Sequence, residues 1–363
     1  MRFQKENVIS LGIIPGPKKP KDLLSFLYPV VDEFKRLAIG VDAIDGSIPT
    51  PDMARNFLLK AYICVVGADM PARDTLMGLS GYNARHYCNY CEVRGIYSND
   101  IGHMYCPLTP PRDMVPPDPD WRTYDPMNLP LRDHDTSMQY AEHVEDTGDH
   151  ETTRMTGIAT RTIFWDLDSI IFPWSYGLDA MHLFYQNVAL RMRDHWAGAY
   201  PLHTQAERKK RRKTTTTKEP GGPGDTDDTN GYVLPQATWN AIENDMEKIT
   251  YPTAFGDKPR SPLAVRKAAE WKSWVKVISP IVLQARLPEP YYREWVNLVK
   301  AITLATDYSI ERAHVSKLRI MMVRFVRHYE DDYYQHKIAR LPACRAVFHG
   351  LLHVADSVEW LGV

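Results

Sequence analysis

Leu23, Phe26, Leu27, Val30, Val31, Phe34 and Leu37 fall at offsets 0, 3, 4, 7, 8, 11 and 14, the spacing of one apolar helix face. Pro29 lies inside that face and predicts a kink or a second start. Upstream, "ENVISLGIIPGP" reads as a short strand closed by Gly16 and Pro17. Downstream, "NFLLKAYICVVGAD" (56–69) reads as a buried strand, with β-branched and aromatic residues and a glycine near its end. Strand, amphipathic helix, strand is the rhythm of an α/β sheet.

The pattern breaks after Cys91. Prolines and aspartates crowd positions 106–135 ("CPLTPPRDMVPPDPDW"), which predicts a long surface excursion. Helical spacing resumes at "SMQYAEHVEDT" and at "GLDAMHLFYQNVALRMRDHW" (177–196). The stretch 204–231 is charged, turn-rich and of low complexity, and reads as disordered. Three further helices are expected in "SPLAVRKAAEWKSWVKVI", "YYREWVNLVKAITLAT" and "IERAHVSKLRIMMVRFVRHYEDDYYQHKI". The organisation predicted is strand–helix–strand over 1–85, an insertion over 86–150, a helical segment over 151–202, a linker over 203–232 and a helical region over 233–363.

Composition narrows the class. The 363 residues, 44% hydrophobic and 25% charged, are those of a globular protein with room for two or three domains. No run approaches the roughly 18 to 20 apolar residues of a membrane span, and no signal peptide opens the chain. A formal net charge of −1 argues against a uniformly basic nucleic-acid binder. Charge is nonetheless segregated: acids outnumber bases between Arg112 and Glu151, whereas "ERKKRRKTTTTK" (207–218) has one acid among seven bases. Five cysteines, two of them in C-x-x-C spacing, fit thiolates for metal in a reducing compartment better than a disulfide framework.

Candidate chemistry falls in four places. Asp69 ends the predicted strand, where α/β sheets present ligand-binding groups; an Asp two residues before Pro71 equally suits a turn or a helix cap. Cys88 and Cys91, with His103 and Cys106, read C-x2-C-x11-H-x2-C, a spacing able to close a tetrahedral structural Zn²⁺ site, with His86 as a substitute ligand. Separate buried cysteines, or a redox pair, are the alternatives. Asp179 and His182 share one helix face, as a proton-orienting or phosphate-touching pair or as a cap and a core-edge side chain. Lys209, Lys210, Arg211, Arg212 and Lys213 form a basic run that suits nuclear import, contact with DNA phosphates, or a solvated linker. The aromatic C-terminal helices (Trp271, Trp274, Tyr291, Tyr292, Trp295, Tyr329, Tyr333, Tyr334) read as core.

Four ordered blocks carry a resemblance. "NVISLGIIPGPKKPKDLLSFLYPVVDEF", "GADMPARDTLMGLSGYNARHYCNYCEVRG", "LDSIIFPWSYGLDAMHLFYQNV" and "YEDDYYQHKIARLPACRAVFHGLLHVADSVEWLG" resemble the transposases of CACTA (En/Spm) DNA transposons, in the fungal Plavaka-like form. The likeness covers nearly the whole chain outside 203–232. It implies a ribonuclease-H-like α/β core in which three acidic residues hold two Mg²⁺ or Mn²⁺ ions for strand cleavage and transfer at transposon ends. It also implies transposon-end DNA as partner, other copies of the chain, and a nuclear location. By that resemblance Asp69 takes the second acidic position, Cys88 and Cys91 the cysteine pair of an insertion, and Asp179 and His182 a D-x-x-H signature near the active site.

The family's first aspartate is expected upstream of the "NVISLGIIPGP" strand and its last glutamate downstream of "VEWLGV". Glu330, Asp331, Asp332 and Glu359 lie outside the expected motif. The expectation is therefore a fragment carrying one of three metal ligands, inactive alone, with an apolar strand edge left unpaired at 57–66. A non-catalytic, zinc-containing binding protein is the alternative.

Overall fold

The computed structural model describes residues 8–14, 16, 20–47, 55–99, 102–114, 121–200, 231–252, 258–264 and 267–362. The run Lys209–Lys213 lies outside them. The class is mixed α/β with helices dominant, and the strands form three two-stranded sheets. The strands are β1 (Val41–Ile44), β2 (Asn56–Leu59), β3 (Val66–Gly67), β4 (Ile96–Ser98), β5 (His103–Tyr105) and β6 (Tyr176–Gly177). No helix among the described residues is long and apolar enough to cross a membrane.

Helix α1 (Leu24–Ile39) forms where the apolar spacing places it and runs through Pro29. The Asp22 carboxylate accepts from Leu24 N and Ser25 N, satisfying donors that a first turn leaves open. Val31 is buried, and Leu27 and Phe34 pack beside it against Val66, Met77, Phe164 and Tyr176. Lys35 reaches Asp166 at 2.6 Å, fastening the helix to the 3-10 turn Ile163–Asp166.

Two strand expectations change. Residues 8–14 form no strand. The predicted single strand over 56–69 is two short ones. β2 pairs antiparallel with β1, Val41 opposite Leu59, and leaves Phe57, Leu58 and Leu59 exposed. Beyond it the backbone donors turn elsewhere, Ala61 N to Leu37 O and Val66 N to Ser175 O. An unbroken apolar run does not reveal where its backbone partner changes.

β3 pairs in parallel with β6, Val66 opposite Tyr176 and Gly67 opposite Gly177. Helix α2 (Met70–Met77) follows β3 directly and stops at Gly78, whose φ of 73° closes the turn. A side chain at Gly78 would meet Thr160 O at 2.1 Å, so only glycine allows that strand-like approach.

The predicted surface excursion is partly core. Pro107 and Leu108 are buried, and Met114, Trp121, Tyr124 and Leu129 pack against the large C-terminal cluster. A proline-rich stretch can do this when its remaining polar backbone groups find partners. Cys106 N donates to Cys344 O, Arg112 N to His336 O, and the buried Glu330 carboxylate accepts from Leu108 N (2.5 Å) and Thr109 N (3.3 Å).

Helices α3 (His134–Thr147) and α4 (His150–Thr156) cap themselves through Asp133 and Asp149. A π-wound segment, Met181–Val188, runs into α5 (Ala189–Trp196). The C-terminal helices, chiefly Glu289–Ala305 and Arg312–Tyr329, enclose Trp196, Trp274 and Trp295, all fully buried. The Trp295 indole N–H donates to Ser279 Oγ at 2.8 Å. Of the aromatic side chains expected in the core, Trp271, Trp274, Trp295, Tyr329, Tyr333 and Tyr334 are buried, and Tyr291 and Tyr292 are partly so.

Candidate metal centre and strand-end carboxylates

The cysteine knuckle follows α2. Gly95 N donates to Arg85 O across it, and Cys91 bridges to Leu131. Arg132, buried, donates from Nε to Cys88 O and from its backbone N to Tyr90 O, so the loop between the cysteines is held from outside. Tyr90 N points at Cys88 Sγ at 3.4 Å, an N–H contact that favours a thiolate.

Two histidines from the other end of the chain complete the cluster. His349 lies on the helix Ala346–Gly350 and His353 ends the 3-10 turn after it, one helical step of four residues apart. Cys91 Sγ lies 3.2 Å from His349 Nε2, Cys88 Sγ lies 3.4 Å from His353 Nε2, and the two Nε2 atoms are 3.3 Å apart. The ligand atoms of all four buried residues lie within 4.8 Å of one another.

These spacings match a metal ion. With Zn–N about 2.05 Å and Zn–S about 2.3 Å, a tetrahedron has an N···N edge of about 3.3 Å and S···N edges of about 3.5 Å. His353 Nδ1 faces the Asp356 carboxylate at 3.1 Å, which places its proton there and leaves Nε2 with a lone pair toward the centre. Asp356 is itself gripped by Arg319 at 2.5 Å. The cluster can hold a metal ion such as Zn²⁺.

Electrostatics agree with a site built for positive charge. Burial opposes ionisation of Cys88, but the Cys91 thiol and the two imidazoles hold its thiol well below the usual range. Burial and the neighbouring Cys88 push Cys91 up. Burial works against the His353 cation, yet Cys88 and Asp356 raise it to about 9. Ligation needs both thiols deprotonated and both imidazoles neutral, so metal binding would release protons.

The structure assigns the expected ligands differently. Cys88 and Cys91 belong to the cluster, whereas His103 and Cys106 do not. His103 sits on β5 with Nδ1 2.5 Å from Asn83 Oδ1. Cys106 packs beside the pair, where its thiol meets the Tyr87 hydroxyl and burial pushes it up. His86 faces Glu92 O, and burial lowers it to about 4. The histidines that replace them stand in H-x3-H spacing, itself a ligand signature, in a stretch whose apolar neighbours resemble core.

Asp69 is the N-cap of α2, its carboxylate accepting from Ala72 N at 2.9 Å. Asp179 accepts from His182 N at 3.0 Å and lies 2.6 Å from His182 Nδ1. Burial would raise Asp179, but these hydrogen bonds hold its carboxyl below the usual range. His182, its Nδ1 taken by Asp179, lines a cleft. That cleft has about 50 Å³ of room for water and is shared by Met70, Arg73, Asp179, His182 and the ligands Cys88, His349 and His353.

The parallel pairing relates the two aspartates. Asp69 stands two residues beyond Gly67, and Asp179 two residues beyond Gly177, its partner. Each therefore follows the C-terminal end of one of two adjacent parallel strands, and of the two only Asp179 lines the cleft. No protein-family model matches the sequence, and no match is found among curated proteins.

Proposed function

We propose that this chain carries part of the catalytic core of a DDE-type DNA transposase, a metal-dependent enzyme that cuts and joins strands at transposon ends, built on a ribonuclease-H-like arrangement. The observation that supports this reading is the parallel pairing of β3 and β6, with Asp69 and Asp179 each two residues beyond the paired glycines at their C-terminal ends. In parallel sheets that end is where ligands gather. A hard divalent cation takes carboxylate oxygens there; when bound, Mg²⁺ or Mn²⁺ would polarise a phosphoryl oxygen and activate water.

In this reading Asp69 is a ligand to that cation. Asp179 orients His182 so that Nε2 faces the phosphate, and the Cys2His2 centre is structural because four protein ligands leave no open position. A two-metal centre takes more carboxylates than the two these strand ends bring, so cation binding without strand cleavage is expected of these 363 residues. DNA of transposon ends, further copies of the chain and a nuclear location belong to the same proposal.

The test is Mn²⁺ binding to zinc-loaded protein, read as loss of the free-ion signal in electron paramagnetic resonance. Fe²⁺ with ascorbate and peroxide should also cut the backbone near 66–70 and 176–180. Binding and cutting that persist unchanged in both Asp69→Asn and Asp179→Asn overturn the proposal.

A second reading is a zinc-centred binding protein without catalysis. It is favoured by the local use of both carboxylates, Asp69 as a cap and Asp179 with both oxygens on His182. Retained zinc with no Mn²⁺ binding would select it.

A further inference from the structure

We propose that occupancy of the Cys2His2 centre controls the affinity of the Asp69/Asp179 strand ends for a hard divalent cation, with Arg73, Asn89 and Tyr90 as positioning residues. This rests on the reading of the strand ends as a cation site.

Asn89 and Tyr90 are the two residues between Cys88 and Cys91, so a metal that fixes both sulfurs also fixes the backbone carrying them. All three positioning residues are buried, Arg73 at 3%, Asn89 at 5% and Tyr90 at 2% exposure. Tyr90 reaches the end of β6 directly, and Asn89 through Arg73. The Tyr90 hydroxyl donates to Tyr176 O. The Asn89 amide oxygen accepts from Arg73 Nε (3.3 Å) and from a terminal guanidinium nitrogen (3.0 Å), and the other terminal nitrogen donates to Gly177 O at 3.0 Å.

The same residues hold the other strand end. Arg73 and Asp74 lie in the first turns of α2, the helix that Asp69 caps, and the Asn89 amide nitrogen donates to Asp74 Oδ1 at 2.7 Å. The Arg73 guanidinium also lies over the Tyr90 ring, 5.6 Å from its centroid. A parallel pair of two residues per strand cannot fix its own ends. This bracket joins the helix that Asp69 caps to the strand end that precedes Asp179, and it is anchored between two metal ligands.

Linkage makes the coupling reciprocal: if zinc tightens Mn²⁺ binding, Mn²⁺ tightens zinc by the same factor, typically roughly 5- to 150-fold. Mn²⁺ does not displace zinc from a thiolate–imidazole site, so the two ions can be read separately. The experiment uses the full chain loaded with one Zn²⁺ and titrated with Mn²⁺. Tyr90→Phe should melt near the wild-type temperature and Asn89→Ala, which strips partners from buried Arg73 and Asp74, should melt lower; both should retain zinc yet bind Mn²⁺ at least about fivefold more weakly. Saturating Mn²⁺ should lower zinc transfer to a competing chelator in the wild type, and should not do so in Asn89→Ala.

Equal Mn²⁺ affinity in the wild type and both zinc-retaining variants overturns the coupling while leaving the strand-end reading in place. Absence of Mn²⁺ binding that depends on Asp69 overturns both. If Asn89→Ala does not fold, Tyr90→Phe, which loses a single oxygen, is decisive. Zinc transfer indifferent to Mn²⁺ in the wild type overturns the inference without any variant.

Discussion

Cys88 Sγ and His353 Nε2 lie 3.4 Å apart, although 265 positions separate them in the chain. A metal held there cross-links the knuckle to the C-terminal helices. Cys88→Ser, Cys91→Ser, His349→Ala and His353→Ala should each reduce bound zinc from one per chain to near none. Each should also destabilise the fold by several kcal/mol, since structural zinc contributes on the order of 10 kcal/mol in small domains. His103→Ala and Cys106→Ser should keep full zinc. Elemental analysis of the six purified variants, with thermal melts, checks this; zinc loss in His103→Ala alone would contradict it.

Asp356 should matter through His353. Its carboxylate faces Nδ1 at 3.1 Å and orients the ring for the metal. Asp356→Asn is expected to weaken zinc about 10- to 100-fold while stoichiometry at excess zinc stays the same. Competition with a chromophoric chelator measures the difference, and an unchanged affinity would count against the assignment.

The cap that Asp69 makes can be separated from the ligand role proposed for it. Its cap on Ala72 N is one that Asn can also make, whereas Ala cannot. Asp69→Ala should cost about 1 kcal/mol in a denaturant titration and Asp69→Asn only a few tenths. Both should remove Mn²⁺ binding if the carboxylate is a ligand. A variant that loses stability but keeps Mn²⁺ would mark Asp69 as a cap and nothing more.

Glu330 gives the fold a pH dependence. Burial raises its carboxyl from 4.5 to about 7, despite the N–H groups of Leu108 and Thr109 that favour the charged form. A folded-state value above the unfolded one means the folded protein binds the proton more tightly. Stability from this group is therefore complete below about pH 4.5 and is lost as pH rises through 7. The loss is about 3 kcal/mol, taking 1.36 kcal/mol for each pH unit between those values. Glu330→Gln should flatten that part of the stability curve; chemical unfolding of both proteins at pH 4.5, 6 and 7.5 tests it.

The C-terminal helices were legible because long apolar periodicities survive without knowledge of the fold, as Glu289–Ala305 and Arg312–Tyr329 show. The cysteine pair was legible too. Its histidine partners were not, because spacing rules read neighbours, and His103 stood nearer in sequence than His349. What rules out His103 is a tertiary fact: the ligand atoms that converge within 4.8 Å are those of Cys88, Cys91, His349 and His353. Asp69 and Asp179 were each visible as candidates, but not the pairing of the strands that precede them. β6 has only two residues, too few for any periodicity to announce a strand.

The separation within the metal centre also bears on how the protein is made. Cys91 and His349 are 258 residues apart, so translation at roughly 5 to 20 residues per second leaves about 13 to 50 s between their appearances. Throughout that interval the thiols have emerged from the ribosome without their histidines, open to oxidation or to a chaperoning metal donor. Closure of the tetrahedron must then wait for His349 and His353, and a nascent chain arrested before His349 should carry no tightly bound zinc.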